Sequence, residues 1–147
     1  MSNKRSIGIA LIGIAVLAVI AVTMHTPIEE KKTAVSSSDI KPAVIFDMGG
    51  KFDKSFNEGV WAGVKKFTEE TGIEVMEFEV TNETQREQAM RRMVERGATI
   101  VLGVGFAQAD AISKVAAENP DTLFSIIDVG WLDAPNLRQY VFKEHEG

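Results

Sequence analysis

Beyond residue 40 the chain switches repeatedly between short, nearly unbroken apolar runs and longer stretches where apolar residues recur every three or four positions. Residues 42–46 (PAVIF) are the first run, with the length and composition of a strand buried on both faces. Over 55–71, Phe56, Val60, Val64 and Phe67 fall on one helical face. Ser55 and Glu58 have the spacing of a capping box there, and Gly72 follows as a stop. Residues 73–80 interleave apolar side chains with Glu74, Glu77 and Glu79, which predicts a half-exposed or edge strand. A second helix is expected over 83–96, with Ala89, Met90, Met93 and Val94 inward and Gly97 ending it. Residues 98–104 read as a third strand and 108–118 as a third helix, stopped by Asn119-Pro120. Residues 123–127 give a fourth strand and 139–142 a fifth. Strict alternation with short connections and no internal repeat predicts an α/β fold, a doubly wound parallel sheet.

The first 39 residues follow another pattern. Lys4 and Arg5 precede an uncharged apolar run of 16 residues, 7–22, so residues 1–24 read as a signal peptide or signal anchor. The run is long for a signal core and short of the ~20 residues of a spanning helix. Val19-Ile20-Ala21 could serve as a cleavage site but lies inside the apolar run, and Ala34-Val35-Ser36 lies far downstream. These flanks favour an uncleaved hydrophobic helix as membrane anchor. Residues 25–39, with Glu29-Glu30-Lys31-Lys32 and Ser36-Ser37-Ser38, read as a polar linker. The cationic N-terminal flank is expected to stay inside and to place 40–147 outside the cytoplasmic membrane.

Candidate chemistry concentrates where the first strand meets the first helix, in Asp47-Met48-Gly49-Gly50-Lys51-Phe52-Asp53-Lys54-Ser55-Phe56-Asn57. Ligands of open α/β sheets lie outside the carboxyl ends of the strands, which puts Asp47 at a crevice. The two glycines permit a sharp turn and close approach, and the helix start offers free N–H donors. An acid, the flat face of Phe56 and the amide of Asn57, which can donate and accept, suit a polyhydroxylated ring compound better than a bare phosphate. Plainer roles exist for each: Asp47 as a turn former, Phe56 as a core residue of its helix. Asp53 and Ser55 read as helix caps.

Gly105 reads as a residue permitting close ligand approach, with Phe106 beside it. A dinucleotide fingerprint at Gly103-Val104-Gly105-Phe106 lacks its third glycine, since residue 108 is Gln. Asp128 ends the fourth strand at the same sheet edge as Asp47 and is the second acidic candidate. Asp110 fits a helix dipole equally well, and Trp131 a pocket wall or a surface loop. No catalytic constellation emerges: Ser55 lacks a nucleophile elbow and a His partner. His25 and His145 stand far apart without a carboxylate set, so neither a metal site nor a cofactor is expected. A phosphoryl-accepting receiver domain would need an Asp ending strand three, where this chain has Leu102-Gly103-Val104-Gly105.

Charge and cysteine content narrow the partners. Residues 40–147 hold 12 Lys and Arg against 18 Asp and Glu, a balance that disfavours nucleic acid and anionic membrane surfaces. The absence of cysteine excludes disulfides, thiolate metal sites and thiol catalysis.

The Asp47 segment, with its Gly pair and Asp53-Lys54-Ser55-Phe56-Asn57, resembles the opening motif of the Bmp/PnrA-like family, substrate-binding lipoproteins of nucleoside ABC transporters. Three later segments match in order: Gly105-Phe106-Ala107-Gln108-Ala109-Asp110-Ala111, Phe124-Ser125-Ile126-Ile127-Asp128, and 141–147 against a Phe-x-x-x-Glu-Gly motif. The resemblance covers 40–147 and implies the N-terminal lobe of a type I periplasmic-binding fold, with the second lobe absent. It implies a non-enzymatic solute-binding component of an uptake system, a purine nucleoside as ligand, Phe56 as a stacking platform for its base, and an ABC permease as partner. Family lipoproteins carry a Cys after the apolar run; here there is none, so lipid attachment is excluded and either anchoring through the hydrophobic helix or simple secretion is expected. The alternatives are a membrane-tethered sensing or interaction module, or an inactive truncated product.

Overall fold

Every apolar run in the pattern from residue 42 onward becomes a strand of one parallel sheet. The computed structural model describes residues 39–146; the expected anchor and residues 25–38 of the linker lie outside the described residues. The strands are β1 (Pro42–Phe46), β2 (Met76–Glu79), β3 (Ile100–Val104), β4 (Leu123–Ile127) and β5 (Leu137–Tyr140). Helices α1 (Phe56–Thr71), α2 (Gln85–Glu95) and α3 (Ala109–Glu118) make the first three crossovers. All pairings are parallel, in the order β2-β1-β3-β4-β5. Among the described residues no helix is long and apolar enough to cross a membrane.

Strand alternation divides β1 between two layers. Ala43 and Ile45 join Val101, Phe124 and Ile126 in a core closed by Met90 and Met93 of α2 and Ile112 and Val115 of α3. Val44 and Phe46 point the other way, with Val104, onto Phe56, Val60, Trp61 and Val64 of α1. Of the four expected apolar positions of α1, Phe56, Val60 and Val64 are half-buried against the sheet, whereas Phe67 is 36% exposed. α1 covers only part of its face. Beside it runs an open apolar groove of about 690 Å³, lined by Val44, Val64, Leu102, Ile127, Tyr140 and Phe142 among others.

Several boundaries differ from the periodic pattern by a residue or more, and three elements shift for a clear local reason. β2 starts at Met76, because Gly72 (φ 71°) turns the chain and Thr68 Oγ1 donates to the Ile73 carbonyl (3.1 Å), committing those residues to the turn. α2 starts at Gln85, after a turn in which Asn82 Oδ1 accepts from the Thr84 amide (3.0 Å). β5 lies two residues earlier than expected at each end, at Leu137–Tyr140. Leu137 is its buried residue, and pairing ends where the Asp128 amide donates to the Tyr140 carbonyl (2.7 Å). Val141 and Phe142 consequently lie exposed at the surface.

A 3-10 turn, Phe106–Gln108, precedes α3, and its last residue is fully buried. Gln108 Nε2 donates to the carbonyls of Ile45 (2.8 Å) and Val104 (3.0 Å), pinning β1 to β3 near their carboxyl ends. Its Oε1 is buried without a hydrogen-bond partner. Gln108→Leu removes that unmet acceptor but leaves two carbonyls a donor short, so the two effects partly offset. The expected net loss is about 1 kcal/mol, the lower end of the range for breaking buried hydrogen bonds. Urea unfolding at unchanged slope measures it; a variant as stable as the unaltered chain overturns the pinning role.

Candidate functional site

The loop after β1 folds as it does because two glycines and one aspartate leave it little choice. Gly49 (φ 110°) and Gly50 (φ 70°) adopt left-handed backbone, and a Cβ on Gly50 would stand only 2.8 Å from Glu79 Oε2. That carboxylate accepts from the Lys51 amide (3.0 Å), while Lys51 Nζ pairs with Glu77, so the loop is strapped to β2. Asp53 then takes the start of α1. Its Oδ1 accepts from the amides of Ser55 (2.8 Å) and Glu58 (3.1 Å), and its Oδ2 from Asn57 (3.1 Å).

The Ser55–Glu58 capping box expected from the sequence does not form, since Ser55 makes no side-chain cap bond and Asp53 already occupies those donors. Desolvation pushes the Asp53 carboxyl up, but the hydrogen bonds from Asn57, Ser55 and Glu58 outweigh it and hold the group below its ordinary value of 3.8.

Asn57 is 3% exposed. Its Nδ2 donates to the backbone carbonyl of Asp47 (3.2 Å), tying the end of β1 to the first turn of α1, and its Oδ1 is buried without a partner. The side chain of Asp47 is held from the opposite direction. Arg86, in the first turn of α2, donates from Nε (3.2 Å) and Nη2 (3.0 Å) to the same oxygen, Oδ1. The pair is largely shielded, with the Arg86 side chain 12% and the Asp47 side chain 20% exposed.

Gly105 closes the arrangement from β3. Its φ of 93° excludes most side chains, and a Cβ there would stand 3.8 Å from both Asp47 Oδ2 and Cε1 of the Phe56 ring. Carboxylate oxygen, ring edge and bare backbone therefore meet at one point, between the carboxyl ends of β1 and β3. This is where the strand order reverses, the switch point of a doubly wound sheet. Phe56 is half-buried: it packs on Val44, Phe46 and Val104, and meets Phe142 edge-on at 6.0 Å.

The remaining candidates stand further out. Phe106 follows Gly105 and is 63% exposed. Asp128 ends β4 at the same sheet edge, in left-handed backbone (φ 69°) that is unusual outside glycine, and among the described residues nothing joins it to Asp47. Asp110 is exposed in the first turn of α3, and Trp131 is exposed in the loop after β4. Among the described residues no cluster of His, Asp and Glu could hold a metal ion. Sequence reading missed Arg86. It lies 39 residues from its partner, and only the β2 crossover brings α2 over the end of β1. The single signal was an Arg just after the helix start, which many surface residues share.

This layout is that of an α/β lobe with a crevice at its switch point, where ligands of such sheets generally lie. The sequence model of the family described as "ABC transporter substrate-binding protein PnrA-like" matches residues 40–147, and the chain belongs to that family. It is 28% identical to the "CD4+ T-cell-stimulating antigen" of Listeria innocua over 99% of its own length and 43% of that protein's. Against the "ABC transporter nucleoside-binding protein BmpA" of Lactococcus lactis the values are 26%, 98% and 42%. Among solved structures, an ABC transporter system solute-binding protein of Aeropyrum pernix superposes with a TM-score of 0.67 at 28% identity, over 73% of this chain and 30% of that one. The chain thus spans less than half the length of these relatives.

The Asp53 cap yields a pH prediction. A carboxyl whose folded pKa lies below its unfolded value stabilises the fold above that unfolded value, and the gain is lost as pH falls through the folded pKa. Asp53→Ala should therefore melt at a lower temperature than the unaltered chain at pH 7, and the gap should narrow towards about pH 2. Melting curves of both proteins across that range check it; a gap independent of pH excludes the carboxylate as its source.

Proposed function

We propose that residues 40–147 form the ligand-recognising N-terminal lobe of a solute-binding protein serving an ABC-type uptake system, with purine nucleosides as ligands. The observation that carries this reading is the meeting of Asp47 Oδ2, the Phe56 ring edge and the Gly105 backbone at the β1/β3 switch point. In this reading Asp47 accepts hydrogen bonds from ligand O–H or N–H groups, and Phe56 offers an aromatic surface to the base. Gly105 lets the ring approach the backbone. Asn57 holds Asp47 to α1, while Phe106 and Asp128 extend the rim. The name of the Lactococcus relative supports nucleosides over other neutral ring compounds. No step of this function calls for a catalytic group, a metal or a cofactor. The partners are the small ligand and the transporter's permease.

A lobe of this kind supplies one wall of a cleft, and pockets that hold small ligands tightly bury most of their surface. The second wall belongs, in this proposal, to the part of the relatives' length that this chain does not span. Titration of the full chain with adenosine, guanosine and inosine should therefore move the amide resonances of Asp47, Phe56 and Gly105 only at high ligand concentration. Calorimetry should register no tight complex. Phe56→Ala should weaken what binding there is by roughly 1–3 kcal/mol, the range for a lost base–aromatic stack. Sub-micromolar affinity overturns the need for a second wall, and a complete absence of shifts overturns the nucleoside reading.

The same proposal places the lobe outside the cytoplasmic membrane, held by the apolar run at 7–22 with Lys4 and Arg5 inside. A tag fused after residue 147 should be digested by protease added to intact spheroplasts. A protected tag reverses the orientation.

A further inference from the structure

We infer that Arg86 is the positioning residue of the Asp47 site and sets its preference for neutral over cationic ligands. The inference rests on the ligand-binding reading above and adds a determinant of specificity to it.

Two donors of the guanidinium converge on a single oxygen, with Nε at 3.2 Å and Nη2 at 3.0 Å from Asp47 Oδ1. Among the described residues no hydrogen bond ends on Oδ2, and a Cβ on Gly105 would stand 3.8 Å from that oxygen and 3.8 Å from the edge of the Phe56 ring. One oxygen is thus committed to the protein and the other is presented at the switch point. A free aspartate would rotate about its side-chain torsions and offer either oxygen. Gripped by a planar donor pair and shielded from water, this one has its orientation fixed before a ligand arrives.

The second consequence is electrostatic. A lone carboxylate at a crevice attracts ammonium groups as readily as hydroxyls. Here a guanidinium stands directly behind the carboxylate, and among the described residues Arg86 makes no other ion pair. An incoming cation meets the positive charge of Arg86 together with the negative charge of Asp47, in a shielded setting where screening by solvent is weak. An uncharged O–H or N–H donor still meets the unfilled Oδ2 as an acceptor, and the charge of Arg86 behind it repels it far less than it repels a cation. The pair therefore selects hydrogen-bond donors that carry no charge. A mere tie between α2 and β1 would have no such effect.

The test uses two ligands that differ in charge: adenosine, and 5′-amino-5′-deoxyadenosine, which carries an ammonium group at neutral pH. Each is titrated into the full chain in non-ionic detergent micelles, and amide resonance shifts give the ratio of the two dissociation constants. Arg86→Met keeps the length and apolar stem of the side chain but removes its charge. It should move the ratio towards the amine by about tenfold. Arg86→Lys retains the charge and should leave the ratio near that of the unaltered chain. Asp47→Asn, with Arg86 in place, should move the ratio in the opposite direction, and this arm decides the matter if Arg86→Met does not fold. An unchanged ratio in Arg86→Met, with both ligands weakened alike, makes Arg86 a structural tie and overturns the inference alone. If neither nucleoside shifts any resonance of the unaltered chain, the binding reading falls, and this inference with it.

Discussion

β1 is paired on both sides and buried on both faces, and the carboxyl edge of the molecule is organised around that fact. A strand so placed can be left only by a sharp turn, which Gly49 and Gly50 provide, and the residue at its end must face either solvent or a neighbour. Asp47 is therefore met from three directions. Asn57 of α1 binds its carbonyl, Arg86 of α2 binds one carboxylate oxygen, and Gly105, just after β3, lies beside the other. Gln108 adds a fourth tie just beneath, between the last turns of the ladder. The acid itself is thus held from two helices, by Asn57 and Arg86, while Gln108 fixes the strands beneath it. Buried polar ties of this sort have a fixed geometry that apolar packing alone does not impose.

Much of this was legible in the chain. The apolar runs become strands because a parallel sheet covered on both faces accepts almost nothing else, and α1 and α2 carry their apolar stripes where the pattern puts them. Asp47 and Asp128 could be assigned to one sheet edge because ligands of such sheets lie outside the carboxyl ends of the strands. The meeting of Asp47, Phe56 and Gly105, by contrast, depends on a strand order that the pattern does not give. What escaped the sequence was competition. Ser55 and Asp53 are both competent caps, and only the path of the loop decides that Asp53 reaches three amides. Val141 and Phe142 look like strand residues. Yet β5 is placed by burial of Leu137, and their apolar character is spent at the surface. Arg86 was invisible for a different reason, since a salt bridge across a crossover has no fixed spacing.

In the proposed reading, function and stability are kept apart within a few residues of each other. Asp53 has both oxygens occupied by backbone amides and nothing left to offer a ligand. Asp47, six residues earlier, keeps one oxygen without a hydrogen-bond partner among the described residues. The two acids have the same chemistry and nearly the same address, and the count of donors around each separates their roles. Asn57 belongs to both groups, because its amide closes the Asp53 cap while its side chain holds Asp47. A substitution there would disturb helix and site together, and its effects could not be assigned to either.

The two margins of the sheet are defended very differently. β2 ends among Glu77, Glu79 and Lys51, charges that repel an added strand. At the far margin, β5 presents Tyr140 and runs into exposed Val141 and Phe142, which also line the apolar groove beside α1. An unpaired strand edge next to an uncovered apolar face is a template on which another chain can both hydrogen-bond and bury surface. Among the described residues the hazard of mis-association therefore lies at this margin of the sheet. Charged residues introduced at 140–142 would shield it with least disturbance to the opposite end of the sheet order, where the loop after β1 is strapped down.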